Sequence, residues 1–239
     1  MRVLVDLVAE GPKVLRDEAH HHLARVLRVR VGDEVTLFDG SGREAEARVT
    51  RVWPGEILVQ VGGVRVVKRA PMSATLVLGL LKGEKMDWVV QKATELGVAR
   101  ICPVSCAHAV VKLQGERQGT RHARWEKIAA EAARQSGRTD VPEIREISDV
   151  TEALAAGQGF RVLFHEGERD QSLRRLIPAE PPADVTVAVG PEGGFAPAEI
   201  VAARAAGFAI CGLGPRILRA ETAAIAAVTL IGYAIGDLG

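Results

Sequence analysis

The first 70 residues alternate between apolar and polar positions over short stretches. At residues 44–52 the alternation has a period of two, which is typical of a strand with one buried face. Three further stretches have strand character, at residues 3–8, 34–38 and 57–61. One helix is predicted at residues 17–29, because Leu23, Val26 and Leu27 share a helical face. Short strands joined by tight, glycine-rich turns predict a small β-barrel.

The pattern changes at residues 68–73, after which strands alternate with helices. Residues 74–81 are continuously apolar, as expected of a strand that is buried on both faces. Further strands are predicted at residues 101–104, 161–164, 184–189 and 209–211, and helices at residues 85–96, 121–136, 197–206 and 221–234. This order predicts a mostly parallel sheet covered by helices.

Composition narrows the class of protein. Hydrophobic residues make up 47% and charged residues 26% of the 239 residues, which are ordinary values for a globular chain and exclude wholesale disorder. The longest apolar run, residues 223–235, is too short for a comfortable membrane span and is either buried core or a dimer interface. Three cysteines (Cys102, Cys106 and Cys211) lack the pairing pattern of a disulfide scaffold, which predicts a reducing, cytoplasmic setting.

Charge is distributed unevenly along the chain. The formal net charge is only +1, but residues 1–140 carry a balance of +6 and residues 141–239 a balance of −5. A basic front part permits nucleic-acid binding, although many enzymes show such asymmetry without that role. No metal is expected, because the adjacent histidines at residues 20–22 point about 100° apart on a helix and cannot converge on one ion.

Glycine-rich loops follow two of the predicted strands. Residues 185–189 lead into GPEGGF at residues 190–195, and residues 209–211 lead into GLGP at residues 212–215. A third loop, residues 165–167, follows another strand. Loops at the carboxyl ends of parallel strands meet at one edge of a sheet, so they predict one ligand pocket. The alternative is a set of helix-start turns with no ligand.

Glu192 decides which ligand suits these loops. The dinucleotide and P-loop patterns are absent, and a carboxylate inside the loop would repel a pyrophosphate. A nucleotide-dependent oxidoreductase is therefore disfavoured. S-adenosylmethionine carries adenosine and a positive centre without phosphates, and it avoids that repulsion.

Motifs along the whole chain resemble the RsmE group of the SPOUT methyltransferases. The loop motifs GPEGGF (190–195) and LGPRILRAETA (213–223) carry the resemblance. Supporting matches are KGEKMD (82–87), ELG (95–97), RW (124–125), QSGR (135–138), HL (22–23), VLR (26–28) and GD (32–33).

The resemblance implies a fold, an activity and an assembly. It implies a PUA-like, RNA-binding β-barrel over residues 1–70 and a SPOUT α/β domain over residues 71–239 with a carboxyl-terminal trefoil knot. The implied activity is methylation of N3 of a uridine in 16S ribosomal RNA, either free or in the assembled small subunit, by a homodimer. The implied S-adenosylmethionine-binding residues are Leu163, His165, Gly190, Gly194, Leu213, Gly214, Ile217, Leu218 and Thr222.

Arg219 and Glu221 are the predicted catalytic residues. Uridine N3 must lose a proton, and the charge that spreads onto O2 and O4 must be stabilised. Arg219 is the candidate that would stabilise this charge, and Glu221 is the candidate that would accept the proton. Arg216 and Glu192 are the respective second choices. A capping ion pair between Arg219 and Glu221 that never touches RNA is an equally open interpretation.

Basic residues supply the predicted RNA contacts. The candidates are Arg25, Arg28, Lys82, Lys85, Arg134, Gln135 and Arg138. Gln135 and Arg138 are included only because of the resemblance, and each residue could instead be an ordinary solvated side chain. A different class, an RNA-binding assembly factor without chemistry, would lack affinity for S-adenosylhomocysteine.

Overall fold

The computed structural model describes residues 1–67, 73–111, 116–235 and 238, excluding the side chains of residues 116 and 117. The backbone contacts divide the chain into two compact units: Met1–Arg69 with Ala130–Val141, and Ala70–Ala129 with Pro142–Gly239. The predicted boundary between residues 70 and 71 lies outside the described residues. The grouping of Ala130–Val141 with the first unit differs from the predicted division, which placed it in the second.

The first unit is built on a six-stranded sheet. Its strands are β1 (Arg2–Leu4), β2 (Gly11–Leu15), β3 (Glu34–Phe38), β4 (Arg43–Trp53), β5 (Glu56–Val61) and β6 (Arg65–Val66). The order is β1-β3-β4-β5-β2, with β6 paired to β4, and every pairing is antiparallel except β1 with β3. Alternate residues of β3 to β5 form its core, as the period of two predicts. The pairings of the described residues form an open path, so closure into a barrel stays a prediction.

The helix predicted at residues 17–29 is two elements. An α-helix, α1 (Asp17–His21), continues into a π-helical segment, His22–Leu27, which ends at Arg28 in the left-handed conformation with φ 53°. The wider π-helical turn changes which side chains share a face. Leu23 is therefore fully buried as predicted, whereas Val26 is 61% exposed.

The second unit contains the predicted parallel sheet. Its strands are β7 (Ser73–Gly79), β8 (Arg100–Ser105), β9 (Glu143–Ile144), β10 (Ser148–Asp149), β11 (Phe160–Phe164), β12 (Asp184–Val189) and β13 (Ala209–Cys211). The order is β10-β8-β7-β12-β11-β13, with β9 paired to β8. All of these pairings are parallel, which confirms the prediction.

Helices accompany this sheet. They are α2 (Lys85–Glu95), α3 (Glu116–Ser136), α4 (Val150–Ala155), α5 (Leu173–Leu176), α6 (Pro197–Ala205) and α7 (Ala220–Ala234), and the residues of α3 from Ala130 onward belong to the first unit. The apolar stripe of α2 is buried, and Gly97 follows the helix with φ +88°. Trp125 of α3 is fully buried, and its indole Nε1–H donates a hydrogen bond to Asp87 Oδ1 at 3.1 Å. In the described ranges no helix combines the length and apolarity needed to cross a membrane.

The strand register brings three loops to one edge of the sheet. Phe164 at the end of β11 is paired with Val189 at the end of β12 and with Cys211 at the end of β13. These strands therefore end level with one another, and their loops leave the sheet side by side. Gly79 ends β7 beside them, where a side-chain carbon would collide with the backbone nitrogen of Pro191.

Candidate functional site

A cavity of about 440 Å³ opens at this edge of the sheet, a size typical of small-molecule sites. The loops after β11, β12 and β13 and the first turns of α2 and α7 form its wall. Its lining residues are Lys85, Phe164, His165, Glu166, Val189, Gly190, Pro191, Glu192, Gly194, Leu213, Gly214, Arg216, Ile217, Leu218, Arg219, Ala220 and Ala223. The single pocket predicted from the three loops is thus present in the structure.

A left-handed backbone at one position and a close backbone approach at another explain two of the glycines in these loops. Gly194 has φ +69°, and a side-chain carbon there would collide with the carboxylate of Glu166. Gly212 passes so near the carbonyl of Glu168 that no side chain fits, and its N–H donates to Gln171 O at 3.1 Å. The absence of these side chains lets the loops after β11, β12 and β13 pack against each other around the cavity.

Most predicted cofactor residues line this cavity, but Leu163 and Thr222 do not. Leu163 is fully buried in the core of the unit, and its neighbour Phe164 lines the cavity instead, because successive residues of a strand point to opposite faces. Thr222 is exposed on α7, where Ala220 and Ala223 share the cavity-facing side three residues apart.

Three charged side chains meet beside the cavity, and two of them, Lys85 and Glu192, line it. The Lys85 ammonium lies 3.1 Å from Glu221 Oε2 and 3.3 Å from Glu192 Oε1. Glu192 Oε1 also accepts a hydrogen bond from the backbone N–H of Lys82 at 3.1 Å. These contacts join the start of α2, the loop after β12 and the first turn of α7.

These contacts shift the acid–base equilibria of the group. Glu221, and then Glu192, raise the pKa of the Lys85 ammonium above its usual value. Burial opposes ionisation of Glu192, but the Lys82 N–H and the Lys85 ammonium outweigh it and lower the pKa of that carboxyl. At neutral pH, Lys85 is therefore a cation and Glu192 an anion.

Of the two predicted catalytic residues, Arg219 lines the cavity, whereas Glu221 is not among its lining residues and is linked to the wall through Lys85. The two residues are not paired with each other. Arg219 is exposed, lines the cavity and occupies the N-cap position of α7 with an extended backbone. Within the described ranges the ion pair of Glu221 is with Lys85, so the predicted alternative of an Arg219–Glu221 capping pair is not formed. Arg216 and Glu192, the reserve candidates, also line the cavity.

One ring nitrogen of His165 accepts a hydrogen bond from its own loop. The N–H of Gly167 donates to His165 Nδ1 at 2.9 Å, so this nitrogen is an acceptor. The proton of the neutral imidazole is then on Nε2, and His165 offers the cavity a hydrogen-bond donor.

The predicted RNA-binding residues fall into two sets. Lys82 and Lys85 are at the cavity edge, where Lys82 is exposed and Lys85 faces the two carboxylates. In the first unit, Arg25, Arg28 and Gln135 are exposed. Arg134 contacts Glu131 and His22, and Arg138 contacts Asp140 at 2.8 Å. RNA contact by any of them stays a prediction.

Several residues of the site were not singled out from sequence. Glu166, Phe164, Ala220 and Ala223 line the cavity, and the spacing of the two alanines could have indicated a shared face. The described side chains include no cluster of three His, Cys, Asp or Glu residues able to hold a metal ion. Burial, followed by nearby carboxylates, raises the pKa of Cys106 and of Cys211 to about 12, so both thiols stay protonated.

Comparison with known families and proteins agrees with this geometry. The sequence pattern of a family described as "RNA methyltransferase domain" matches residues 68–232, and that of an "RNA methyltransferase PUA domain" matches residues 15–61. The chain is 32% identical over 235 residues to ribosomal RNA small subunit methyltransferase E of Bacillus subtilis strain 168, covering 95% of this chain and 92% of that protein. It is 33% identical to the Mycobacterium tuberculosis protein of the same name over 218 residues, covering 88% and 82%.

Solved structures give the same match. Ribosomal RNA small subunit methyltransferase E from Neisseria gonorrhoeae, bound to S-adenosylmethionine, superposes with a TM-score of 0.88 at 33% identity, covering 97% of this chain and 96% of that one. A Legionella pneumophila structure with bound S-adenosylmethionine gives a TM-score of 0.89 at 33% identity, with 98% and 97% covered.

Proposed function

The chain belongs to the ribosomal RNA small subunit methyltransferase E family, and we propose on that basis that it methylates N3 of a uridine in 16S ribosomal RNA with S-adenosylmethionine as donor. The observation that supports this most directly is the cavity at the edge of the parallel sheet, which the three glycine-containing loops enclose. Relatives at 33% identity are solved with S-adenosylmethionine bound.

The lining of the cavity fits this donor. Gly190, Gly194 and Gly214 leave room for close backbone approach, while Leu213, Ile217 and Leu218 provide apolar surface for a purine. The lining carries two carboxylates, Glu166 and Glu192, and three cations, Lys85, Arg216 and Arg219, so it offers partners for both the positive and the negative groups of this zwitterionic donor. When bound, the donor supplies an electrophilic methyl group. His165 adds an Nε2–H donor, and Leu163 and Thr222 would act through their neighbours Phe164 and Ala223.

Glu221 and Arg219 carry the proposed chemistry. N3 of uridine bears a proton at neutral pH, and this proton passes to the Glu221 carboxylate as the N3 electron pair forms its bond to the methyl carbon. The bond from that carbon to sulfur breaks, and its electron pair stays on sulfur. Arg219, exposed at the cavity, stabilises the charge on O2 and O4.

A trefoil knot in the carboxyl-terminal backbone is part of the proposal. β13 lies at the edge of the sheet, yet the following helix α7 returns to pack on β12 and α2. Between them, Gly212 forms a bridge with Ser172 and its N–H bonds to Gln171. Such a return path past a neighbouring loop supports the knot. The six-stranded sheet of the first unit likewise supports a PUA-like barrel that binds RNA.

Homodimer formation is also proposed, on the surface of α7. One side of this helix is buried, including Ala224, Ala227 and Ile231. Leu230 and Tyr233 are 44% and 69% exposed. The sequence allowed this apolar run to be either buried core or a dimer interface. The buried side of α7 supports the first interpretation, and we assign the exposed side to contact with a second copy of the chain.

Two measurements separate this enzyme from an assembly factor without chemistry. Isothermal titration with S-adenosylhomocysteine should show one site per chain. Transfer of labelled methyl from S-adenosylmethionine should follow when small subunits or 16S RNA from cells lacking the protein are added. Absence of heat in the titration, together with absence of transfer to either substrate, would contradict the enzyme.

A further inference from the structure

Lys85 joins two carboxylates that are far apart in sequence. Its ammonium is within 3.3 Å of Glu192 and 3.1 Å of Glu221. The side chains are 35%, 25% and 16% exposed for Lys85, Glu192 and Glu221, so the group is partly shielded from water. Partial shielding makes such contacts stronger than those of an open surface pair.

The two carboxylates differ in how they are held. Glu192 has a second partner, the backbone N–H of Lys82 at 3.1 Å. Glu221 Oε2 is shielded from solvent, and its partner within the described part of the chain is the Lys85 ammonium at 3.1 Å. Glu192 is therefore anchored on two sides, whereas Glu221 depends on Lys85 as its partner in the described residues.

The charges of this group suit proton uptake. One ammonium and two carboxylates sum to a single negative charge, so the group can accept one proton without an excess of positive charge. If Glu221 takes that proton, the Lys85 ammonium still has Glu192 as its counter-ion. The same pairing makes Lys85 a poor choice of phosphate ligand, because both of its near neighbours are anions.

We propose that Lys85 is a positioning residue that keeps Glu221 ionised and oriented to receive the uridine N3 proton, with Glu192 as its fixed anchor. This inference rests on the proposed function. The proton leaves N3 for the Glu221 carboxylate as the methyl carbon exchanges its bond to sulfur for one to N3. Water removes the proton from Glu221 after the product leaves, which restores the ion pair with Lys85.

Other charged or titratable groups face this site and contribute to its titration. His165 and Glu166 come from the loop after β11, and Arg216 and Arg219 from the loop before α7. None of these residues is within salt-bridge distance of Lys85 among the described side chains. Substitution of Lys85 therefore changes the direct partner of Glu221 and leaves these other charged groups in place.

The test compares Lys85→Gln with Lys85→Arg and with Lys92→Gln. Lys92 lies on the same helix and pairs with Glu95 at 2.9 Å, away from the cavity, so it controls for loss of a helical lysine. The first readout is the pH profile of single-turnover methyl transfer. The second needs no donor: the carboxyl ¹³C titration of Glu221, assigned by its loss in Glu221→Gln.

Loss of the ammonium leaves Glu192 and Glu221 as uncompensated like charges, so the ¹³C titration of Glu221 should move to higher pH in Lys85→Gln. The acid limb of the rate profile should move with it, and at a fixed pH on that limb the rate should fall roughly tenfold for each pH unit of the displacement. Lys85→Arg should retain most of the wild-type profile, and Lys92→Gln should match the wild type.

The inference would be overturned if the acid limb of the rate profile and the ¹³C titration of Glu221 were the same in wild type and Lys85→Gln. The proposed function would remain intact. A uniform loss of rate at every pH, with Glu221 titrating as in wild type, would also overturn the inference, because a purely structural role gives that result. A wild-type protein that methylates no RNA would overturn the proposed function, and with it this inference. The ¹³C titration is readable even if Lys85→Gln is inactive.

Discussion

At the scale of single residues, Glu221 combines two features that a general base needs. It lies in the first turn of α7, where the helix dipole favours an anion, and its Oε2 faces the Lys85 ammonium. Both features place positive potential next to the carboxylate. A base that is ionised before substrate arrives accepts the N3 proton without a separate activation step.

Glu221→Gln should therefore lower single-turnover methyl transfer by about 100-fold or more, because an amide cannot take the proton. The dissociation constant for S-adenosylhomocysteine should change little. Glu152→Gln is the matched control, since Glu152 is an exposed glutamate in the first turn of another helix, α4. Transfer by Glu221→Gln at the wild-type rate, with an unchanged pH profile, would exclude Glu221 as the base.

The sequence alone predicted which residue types surround the cavity, but not how they pair. Arg219 and Glu221 are two positions apart, and proximity in sequence made a capping pair between them reasonable. The actual partner, Lys85, lies 136 positions away along the chain. It is brought to Glu221 by the packing of α2 on α7, which a periodic pattern cannot reveal.

At the scale of elements, the predictions were most accurate where one physical pattern dominated. The buried parallel strands β12 and β13 begin and end at the predicted residues, since continuous apolar runs bounded by polar residues and glycine leave little alternative. The strands β2, β6, β9 and β10 and the helices α4 and α5 were not predicted, because segments of two to six residues are too short to show a clear period. The π-helical segment was missed because the face was counted with α-helical spacing.

Gly194→Ala should weaken binding of S-adenosylhomocysteine and also destabilise the fold. The backbone there has φ +69°, which costs a residue with a side chain about 1–2 kcal/mol, and the added carbon would collide with Glu166. Gly63→Ala is the control, because Gly63 has open space around it and no positive φ. Calorimetric titration and thermal unfolding report the two effects. Wild-type affinity in Gly194→Ala would contradict the role of this loop in enclosing the donor.

At the scale of the whole molecule, assembly depends on the exposed side of α7. Leu230→Asp should convert the expected dimer into a monomer of 25.5 kDa, because a carboxylate in an apolar interface loses its hydration. Val201→Asp is the control, since Val201 is a 66% exposed apolar residue on α6. Sedimentation equilibrium distinguishes the states. A monomeric wild type, or a dimeric Leu230→Asp, would contradict this interface.

Methylation of one uridine at N3 is tested most directly by mapping modified nucleosides in 16S ribosomal RNA with mass spectrometry. RNA from cells that lack the protein should have lost 3-methyluridine at one position. Incubation of that RNA, or of the small subunits that contain it, with the purified protein and S-adenosylmethionine should restore it. Glu221→Gln should restore far less in the same time. An unchanged content of 3-methyluridine in the deficient cells, or a methyl group on another atom after incubation, would contradict the proposed reaction.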